Sequence, residues 1–498
     1  MSWIEEHWLA AVILSWIEEH WLAAVFLSLY VLVLFRNAYL GSRASSGMAG
    51  YYVGNRELSG TIVGISFFAT FASTNTFIGH AGKSYEYGIA WFTLAILLII
   101  FSWLSWRWIA PPLRRFASEW DALTIPDFIG RRFVTSGSDR HPVLIASAVV
   151  IVFASILYLL AIFKGAGHLF QLFLGIPYDL AVGVTLIIVV LYTSIGGFVS
   201  VVRTDAIQGV MMLIGGVTIF YFVTKAAGGV TAVSQLTEMP DKQFLFDLNG
   251  GIPFAILLGI SLSGSLKLIV DPRQLSRFYG LKDEQAVKQG IWVAVLGLTL
   301  ILATLFPVGI YAHLILDNVT DTDLIIPTLV NDPEVFPMWV TDLLIVSIVS
   351  AAMSSMDSVL LVASSTLYKN LIAPFRTNQH ELRWTRGAVV VFAAIAAGMA
   401  LNPPGDIVTV TIFSGSLYAV CFFPAVVFGL YSSRGSANAV LWSMGVGVSL
   451  LIVWIVMGWN QYLHEVFPAL MASCVTYWVV ARSGKSVESA DRQPEHGL

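Results

Sequence analysis

Hydroxyl and amide side chains crowd one short part of an otherwise apolar segment that runs from residue 61 to 89. The polar members are Ser66, Thr70, Ser73, Thr74, Asn75 and Thr76. One explanation is structural, because such groups hydrogen-bond between membrane helices and let them approach closely. The other is chemical: where a helix is interrupted, its free backbone carbonyls and nearby hydroxyls can bind a cation. The density of polar groups, with glycines on both sides, favours the interruption.

A second polar stretch, Ser347–Asn370, has spacing that suits the same chemistry. Ala351, Ser354 and Ser355 stand at positions i, i+3 and i+4, so they share one face of a helix. That face offers a backbone carbonyl region and two hydroxyl oxygens. Oxygen ligands suit a hard cation such as Na⁺, and the scattered histidine and cysteine residues argue against a transition metal.

Charged residues inside apolar segments are the remaining chemical candidates, because an unpaired charge in a membrane is unfavourable and marks a site or a partner. Lys267 has three interpretations: it binds a solute carboxylate, pairs with Asp357 or Asp271, or extends to the cytoplasmic surface. Lys164, on the turn next to His168, is a second intramembrane cation. Asp357 either binds a cation or pairs with a lysine. The sequence leaves these alternatives open.

The elements that position these residues are predicted to be membrane helices. The chain is 57% hydrophobic and 12% charged, against a charged share of about 25% in soluble domains. Apolar runs of about 20 residues recur, each long enough to cross a bilayer, and backbone in lipid must be bonded internally. We therefore predict an all-α integral membrane protein with thirteen spans, centred near Val31, Phe71, Ile99, Ala154, Ile188, Met212, Ile260, Thr299, Ala351, Val391, Tyr418, Val448 and Cys474.

The distribution of positive charge predicts the orientation of these helices. Most of the 27 lysine and arginine residues fall in alternate loops, Arg273 and Arg277 among them, and the other set of loops contains only Lys83, Lys225 and Lys242. Loops rich in positive charge face the cytoplasm. We therefore expect a multi-pass protein of the plasma (inner) membrane, with its N-terminus outside and its C-terminus in the cytoplasm.

Four motifs, taken together and in this order, are similar to those of a known family. They are "ATFASTNTFIG" from Ala69, "TIPDFIGRRF" (Thr124–Phe133), "GGFVSVVRTDAIQG" (Gly196–Gly209) and "AAMSSMDS" from Ala351. With them the chain resembles the sodium/solute symporter family from about residue 51 to 485. This family includes proline, pantothenate, sugar, iodide and monocarboxylate transporters. The resemblance implies the inverted-repeat fold of the leucine transporter.

The resemblance also predicts how the chain is divided. Residues 1–58 would hold an N-terminal repeat and the first transmembrane helix, and residues 59–228 and 251–432 the two inverted five-helix repeats. Two further transmembrane helices would occupy 433–482. The polar composition of residues 483–498, and not the resemblance, predicts a disordered cytoplasmic tail. Near the start, Ser2–Leu14 is almost duplicated by Ser15–Leu27. One copy completes the first helix, and the other is too short to span.

In this family the main sodium site lies between the first helix of repeat one and the third helix of repeat two. Matched by motif, its ligands would be the backbone carbonyls of Ala69, Ala72 and Ala351 and the hydroxyls of Ser354 and Ser355. An acidic residue that the family uses in sodium passage matches Asp205, whose other interpretation is an interfacial helix cap. Asp205 and Asp357 are thus candidates for the sodium path or a second cation site.

The resemblance further implies a solute cavity beside the sodium site, and an interruption around Gly264 in the first helix of repeat two. The expected solute-binding residues are Ser73, Asn75, Thr76, Gly264, Lys267 and Ser416. Sugar-transporting members have Gln and Glu where this chain has Thr76 and Ala95, so a sugar is not expected. An amino acid or a monocarboxylate is the expected class of solute.

Together these expectations predict a Na⁺-coupled symporter that takes up a small organic solute. Its expected partners are the solute, Na⁺ and the lipid bilayer, and no nucleic-acid partner is expected. Three other functions remain as alternatives. A transporter-like sensor needs an added regulatory domain, for which the residues after Arg482 leave little room. A channel needs a continuous pore. A transporter independent of Na⁺ could use a proton or the ammonium of Lys164. No enzyme is expected, because the sequence has no nucleophile–base or metal constellation.

Overall fold

The computed structural model describes residues 14–44, 47–135, 137–317, 319–376 and 380–483. Within these ranges the regular structure is helical, apart from an isolated parallel bridge between Leu58 and Leu281. The main helices are α1 (Trp21–Ala44), α2 (Gly60–Phe71), α3 (His80–Tyr87), α4 (Phe92–Leu104), α5 (Pro142–Leu174), α6 (Tyr178–Ala226), α7 (Phe254–Val270), α8 (Pro272–Tyr279), α9 (Glu284–Ala312), α10 (Met338–Thr366), α11 (Glu381–Ala400), α12 (Ile407–Phe423), α13 (Ala437–Val456) and α14 (Val466–Ser483). The prediction of an all-α membrane protein is confirmed.

Short helical elements connect the main ones. Short α-helices occupy Gly47–Val53, Ala110–Glu119, Ile125–Phe133, Val233–Glu238, Ile325–Val330 and Gly429–Tyr431. Turns of π-helix occupy Asn75–Gly79, Ser105–Ile109, Leu367–Ile372 and Pro424–Phe428. Turns of 3₁₀-helix occupy Gly54–Arg56, Gly88–Trp91, Val230–Ala232, Gln243–Phe246, Thr322–Leu324, Ala373–Phe375 and Trp459–Gln461.

Ten helical segments in the described residues are long and apolar enough to cross a membrane, and two shorter apolar helices accompany them. As one straight helix, the 49 residues of α6 would extend about 74 Å, which is over twice the thickness of a hydrocarbon core. α6 therefore contains two of the predicted spans. The chain turns inside it at Gly197, where φ is 67° and ψ −175°, a conformation open almost only to glycine. The exact number of thirteen crossings stays a prediction.

Burial separates the central helices from the peripheral ones. The spans that contain α10 and α12 are 94% and 83% buried over their most apolar parts, whereas those of α1 and α13 are 28% and 33% buried. α10 is rich in serine and alanine, and small side chains of this kind let membrane helices approach closely. It packs against α1, α2, α5, α6 and α11. The predicted cation-binding face is therefore carried by the most enclosed helix.

Two helices are interrupted in the middle of the protein. α2 ends at Phe71, Ala72 leaves the helical conformation (φ −73°, ψ 83°), and the chain resumes as a π-helical turn. This is the interruption predicted from the polar stretch. The second interruption lies at Asp271 (φ −67°, ψ 122°), between α7 and α8. Its cause is Pro272, because proline forces the preceding residue into an extended conformation.

The predicted position of the second interruption, around Gly264, is wrong. Gly264 lies inside α7, in regular helix. A Cβ there would lie 2.9 Å from Leu94 and 3.2 Å from Ile412, so this glycine allows α7 to approach α4 and α12. A glycine in an apolar run signals close packing as often as a break, and the Asp-Pro pair was the better signal.

The terminal predictions fall partly outside the described residues. Of the first copy of the N-terminal duplication, only Leu14 is described, and the tail 483–498 is described only at its first residue. The second copy begins the first helical region, where His20 Nδ1 lies 2.7 Å from Asp342 Oδ1 in α10. This buried contact fastens the start of α1 to the central helix. The proposed division into two inverted repeats stays a prediction.

We expect Gly60→Ala to destabilise the protein by about 1–3 kcal/mol. A Cβ at Gly60 would lie 1.9 Å from the backbone oxygen of Ala286 and 2.9 Å from the nitrogen of Gly290, and backbone atoms of α9 cannot rotate away. Gly445→Ala in α13 is the matched control, since nothing lies within 4 Å of its added Cβ. Thermal unfolding of both variants in detergent tests this, and equal melting temperatures would contradict it.

Candidate functional site

The interruption of α2 lies directly against the hydroxyl face of α10. Ser355 Oγ donates a hydrogen bond at 3.0 Å to the backbone oxygen of Thr70. This oxygen belongs to one of the carbonyl groups at the end of α2. Ala69, Ala72 and Ala351 are completely buried, as are Ser354 and Ser355. The structure therefore brings together the two segments that the sequence linked only through a family resemblance. Carbonyl and hydroxyl oxygens of this kind are ligands for a hard cation.

Asp205 of α6 lies at the edge of this junction and is completely buried. Its Oδ1 accepts a hydrogen bond from Ser354 Oγ at 2.7 Å. Its Oδ2 accepts from Ser66 Oγ at 2.6 Å and from Thr70 Oγ1 at 3.3 Å. These hydroxyl donors are thus side chains of α2 and α10, and not backbone N–H groups at a helix start, so the interpretation of Asp205 as an interfacial helix cap is wrong.

The same carboxylate forms an ion pair with Arg277 of α8. Arg277 Nη2 lies 2.9 Å from Asp205 Oδ2 and 2.8 Å from Thr70 Oγ1, and it also donates to Ser358 Oγ. Both side chains of the pair are fully buried. Charges so placed are tolerated only when they are paired and hydrogen-bonded. The guanidinium therefore neutralises the carboxylate beside the junction of α2 and α10.

Arg277 and Arg273, which lie beside the junction and the cavity described below, were assigned by the charge pattern to a positively charged loop. In the structure they lie in α8 and are 0% and 3% exposed. The charge pattern could not separate them from true loop residues, because it records sign and position but not burial. One signal in the sequence could have found them: two arginines four residues apart, directly after the Asp-Pro pair, place both charges on one face of a helix.

Asp357 lies one turn beyond Ser354 and is completely buried. Among the described residues neither of its carboxylate oxygens has a hydrogen-bond partner. Lys267 does not reach it, and Asp271 is occupied by Arg273, so both structural pairings proposed for Lys267 are wrong. A buried carboxylate without a partner is strongly unfavourable, which leaves Asp357 as a candidate for binding a cation or a proton.

A narrow cavity lies between the two interrupted helices. It is lined by Phe71, Asn75, His80, Leu94, Leu98, Tyr158, Gly264, Lys267, Arg273 and Ile412. Its free volume of about 10 Å³ holds about one water molecule, so a solute can be accommodated only when the helices around it move apart. The cavity is thus closed in this structure.

The expected solute-binding residues are placed unequally around this cavity. Asn75, Gly264 and Lys267 line it. Ser73 Oγ accepts a hydrogen bond from Tyr158 OH at 3.2 Å, which places it next to a lining residue. The other two face elsewhere: Thr76 Oγ1 lies 3.5 Å from the oxygen of Phe71, and Ser416 bonds to Ser263 at 2.9 Å and to Glu465 at 3.2 Å.

Tyr158 of α5 connects the cavity with the interruption of α2. Its ring centre lies 5.5 Å from Lys267 Nζ and 3.7 Å from the guanidinium carbon of Arg273. Its hydroxyl reaches Ser73, which follows the proposed ligand Ala72. Two cations therefore face one aromatic ring, and each is attracted to the ring while their like charges repel each other. Tyr158 thus contacts both the cavity and the segment that follows α2.

Lys164 lies in a separate charged cluster. Its Nζ is 2.7 Å from Asp323 Oδ2 and 3.3 Å from the oxygen of Gly405, so its ammonium is held between the loop that follows α9 and the start of α12. Nearby, Lys83 lies 3.5 Å from Asp406. Burial alone would raise the pKa of Asp406, but the charge of Lys83 and the hydrogen bonds from Thr409 outweigh burial and hold that pKa below its ordinary value.

Comparisons with known proteins agree with this architecture. The model of the sodium:solute symporter family matches residues 51–447. The chain is 27% identical to the sodium/pantothenate symporter of Haemophilus influenzae over 456 residues, covering 90% of this chain and 93% of the relative. It is 26% identical to the sodium/proline symporter of Escherichia coli over 475 residues, covering 93% of both chains. Among solved structures, that of a Na⁺-coupled sialic acid symporter in a substrate-bound outward-open state matches with a TM-score of 0.77 at 17% identity, covering 93% of this chain and 98% of the other.

Proposed function

The chain belongs to the sodium:solute symporter family, and on this basis we propose that it couples the downhill movement of Na⁺ to the uptake of a small carboxylate-bearing solute. The observation that carries the proposal is the interruption of α2 at Ala72 against the buried hydroxyl face of α10. This arrangement offers oxygen ligands from two helices at one point. Ion binding there can therefore depend on how the two helices lie relative to each other, as alternating access requires.

For the sodium site we propose the carbonyl oxygens of Ala69, Ala72 and Ala351 with the hydroxyls of Ser354 and Ser355. All are buried, and the contact of Ser355 with the end of α2 supports their convergence. An all-oxygen set with no charged member suits a monovalent ion that must bind and leave in each cycle.

We further propose that Asp205 lies on the path of the ion. Its carboxylate shares Ser354 with the sodium site, and it is neutralised by Arg277 in the structure. Na⁺ that reaches Asp205 must compete with the guanidinium, because one carboxylate cannot bind both cations equally well. Asp357, buried and without a partner, is the candidate for a second cation.

For the solute we propose the cavity between the two interruptions, with Lys267 as the group that binds its carboxylate. The relatives are named for pantothenate and proline, and both of those molecules carry a carboxylate. Coupling would pass through Tyr158, which touches the cavity and bonds to Ser73 beside Ala72. Because binding free energies are reciprocal, Na⁺ raises the affinity for solute by the same factor as solute raises the affinity for Na⁺.

Several further features complete the proposal. Its relatives are named as symporters, and the family together with the ten apolar helices of the described residues supports a multi-pass protein of the plasma membrane. We propose that the N-terminus lies outside, as the charge pattern predicts, and that residues 59–228 and 251–432 are the inverted repeats, each with an interruption in its first helix. The alternative in which Lys164 replaces Na⁺ is disfavoured, since that ammonium is bound to Asp323.

Ser354→Ala and Ser355→Ala are expected to raise the Na⁺ concentration needed for stabilisation by about tenfold or more, because each removes one ligand. The measurement is the melting temperature of the purified protein as NaCl replaces choline chloride at constant ionic strength, since a ligand stabilises the state that binds it. Ser364→Ala is the control, because this buried hydroxyl bonds only within α10, to Leu361 at 3.1 Å. Identical Na⁺ titrations for all three variants and the original protein would refute the sodium site.

A further inference from the structure

The structure assigns a net charge to the solute: we propose that the cavity selects a carboxylate that carries a single negative charge and no ammonium group, and that Lys267 and Arg273 bind it together. This inference rests on the proposed function and narrows it. The proposed solute class includes amino acids, which are zwitterions, and monocarboxylates. The residues that line the cavity distinguish these two groups.

The first observation is the unused hydrogen-bonding capacity of Arg273. This side chain is 3% exposed. Its Nε lies 3.0 Å from both oxygens of Asp271, and its Nη2 also bonds to that carboxylate. Its Nη1 has no partner among the described residues. A guanidinium has five N–H donors, so donors remain on the Nη1 side of a buried cation, where an unmade hydrogen bond is unfavourable.

The second observation is the ammonium of Lys267. This side chain is 5% exposed, lines the same cavity as Arg273, and contacts the ring of Tyr158. It forms no hydrogen bond or ion pair within the part of the chain that the structure describes. Two buried cations thus face one ring, and each has donors left for a ligand. A carboxylate, with two oxygens, can accept from both.

The third observation is the charge balance. When Lys267 is protonated, it and Arg273 contribute two positive charges, Asp271 contributes one negative charge through its pair with Arg273, and the residues lining the cavity include no acid. A monoanion therefore makes the closed site neutral. A zwitterion leaves one excess positive charge and adds an ammonium that has no carboxylate to bind. Uncompensated charge in a buried site is strongly unfavourable, so the monoanion binds better.

The same cavity offers two further polar atoms on the first interrupted helix. Asn75 Oδ1 and His80 Nδ1 are buried and have no partner among the described residues. They can hydrogen-bond to a hydroxyl or an amide of the solute, since an amide oxygen accepts and a neutral imidazole nitrogen donates or accepts. The inferred solute is therefore a monocarboxylate with at least one hydroxyl or amide group.

The test uses matched pairs of probes on the purified full-length protein in NaCl. L-Lactate and L-alanine have nearly the same size but differ in charge, because lactate carries a hydroxyl where alanine carries an ammonium. Pantothenate and proline form a second pair, a hydroxylated amide monoanion and a zwitterion. Isothermal titration should show that each monoanion binds at least tenfold more tightly than its zwitterionic counterpart. Equal or tighter binding of alanine or proline would overturn the inference, as would failure of both monoanions to bind.

Two variants test whether the preference for monoanions arises in the cavity. Lys267→Met should weaken binding of the monoanions by at least a hundredfold, whereas Lys288→Met, which removes an exposed lysine, should leave their binding unchanged. The Na⁺-dependent melting temperature is measured for each protein. If Na⁺ stabilises the original protein but the zwitterions bind more tightly, the charge inference fails and the symporter proposal stands. If Na⁺ neither stabilises it nor promotes binding of any probe, the symporter proposal itself fails. Should Lys267→Met not fold, the paired probes on the original protein still decide.

Discussion

Asp205→Asn is expected to abolish Na⁺-coupled transport and to lower the free energy of unfolding by about 3–5 kcal/mol, because it leaves the charge of Arg277 buried without its partner. Both side chains are fully buried, and the ion pair is 2.9 Å long. Asparagine keeps the size of the side chain and can still accept one hydrogen bond, so the change isolates the negative charge. Thermal unfolding in detergent gives the stability, and Na⁺-driven uptake into proteoliposomes gives the function.

The double variant Asp205→Asn/Arg277→Gln separates the structural role from the transport role. Removing both charges should recover much of the lost stability, since no buried charge is then left unpaired. Transport should stay lost if the carboxylate lies on the path of the ion. Recovery of Na⁺-coupled uptake in the double variant would show that the pair is structural only. Glu238→Gln, which changes an exposed carboxylate, controls for the loss of one negative charge.

Lys164→Met is expected to have the second largest effect, a destabilisation of about 3 kcal/mol together with a more accessible cavity. The reason is that Asp323 is 1% exposed and would lose the ammonium 2.7 Å away, which is the situation in which a buried ion pair matters most. This pair fastens the loop after α9 to α5 and to the start of α12. Without it, the loop should separate from those helices more often.

Accessibility is measured by a cysteine placed in the cavity. Leu94→Cys, in a Cys474→Ser background, should react faster with a charged, membrane-impermeant thiol reagent when Lys164 is replaced by methionine. Cys421 is completely buried and needs no replacement. Lys225→Met removes an exposed lysine and should not change the rate. A rate that is the same in all three backgrounds would show that the Lys164–Asp323 pair does not restrict access to the cavity.

The arginines of α8 illustrate how far a sequence can be interpreted without a structure. Arg273 and Arg277 have the right sign and position for a cytoplasmic loop, and the charge pattern therefore included them. In the structure a proline ends α7 and the short α8 turns its basic face inward, so that both arginines are buried. The local sequence encodes the turn, but the carboxylate that receives Arg277 lies 72 positions away.

For Lys267 and Lys164 the sequence indicated burial correctly but did not identify the partner. Both are cations in apolar helices, and the sequence could only offer partners for them. The structure pairs Lys164 with an aspartate 159 positions distant and leaves Lys267 facing an aromatic ring and a second cation. Ser416 has a polar side chain in a central helix, as a solute-binding residue would, yet it bonds to Ser263 and Glu465. Depth in the membrane does not specify the direction in which a side chain points.

The sequence by itself determined the properties that depend on neighbouring residues. Apolar runs determine the helices, and the polar stretch before Thr76 together with its glycines determines the interruption of α2. The spacing of Ala351, Ser354 and Ser355 determines their common face. Only the tertiary structure decided which of these groups meet. The packing of helices distant in sequence brings that face against α2, pairs Asp205 with Arg277 and places two cations around Tyr158. No local pattern encodes the distances between these helices.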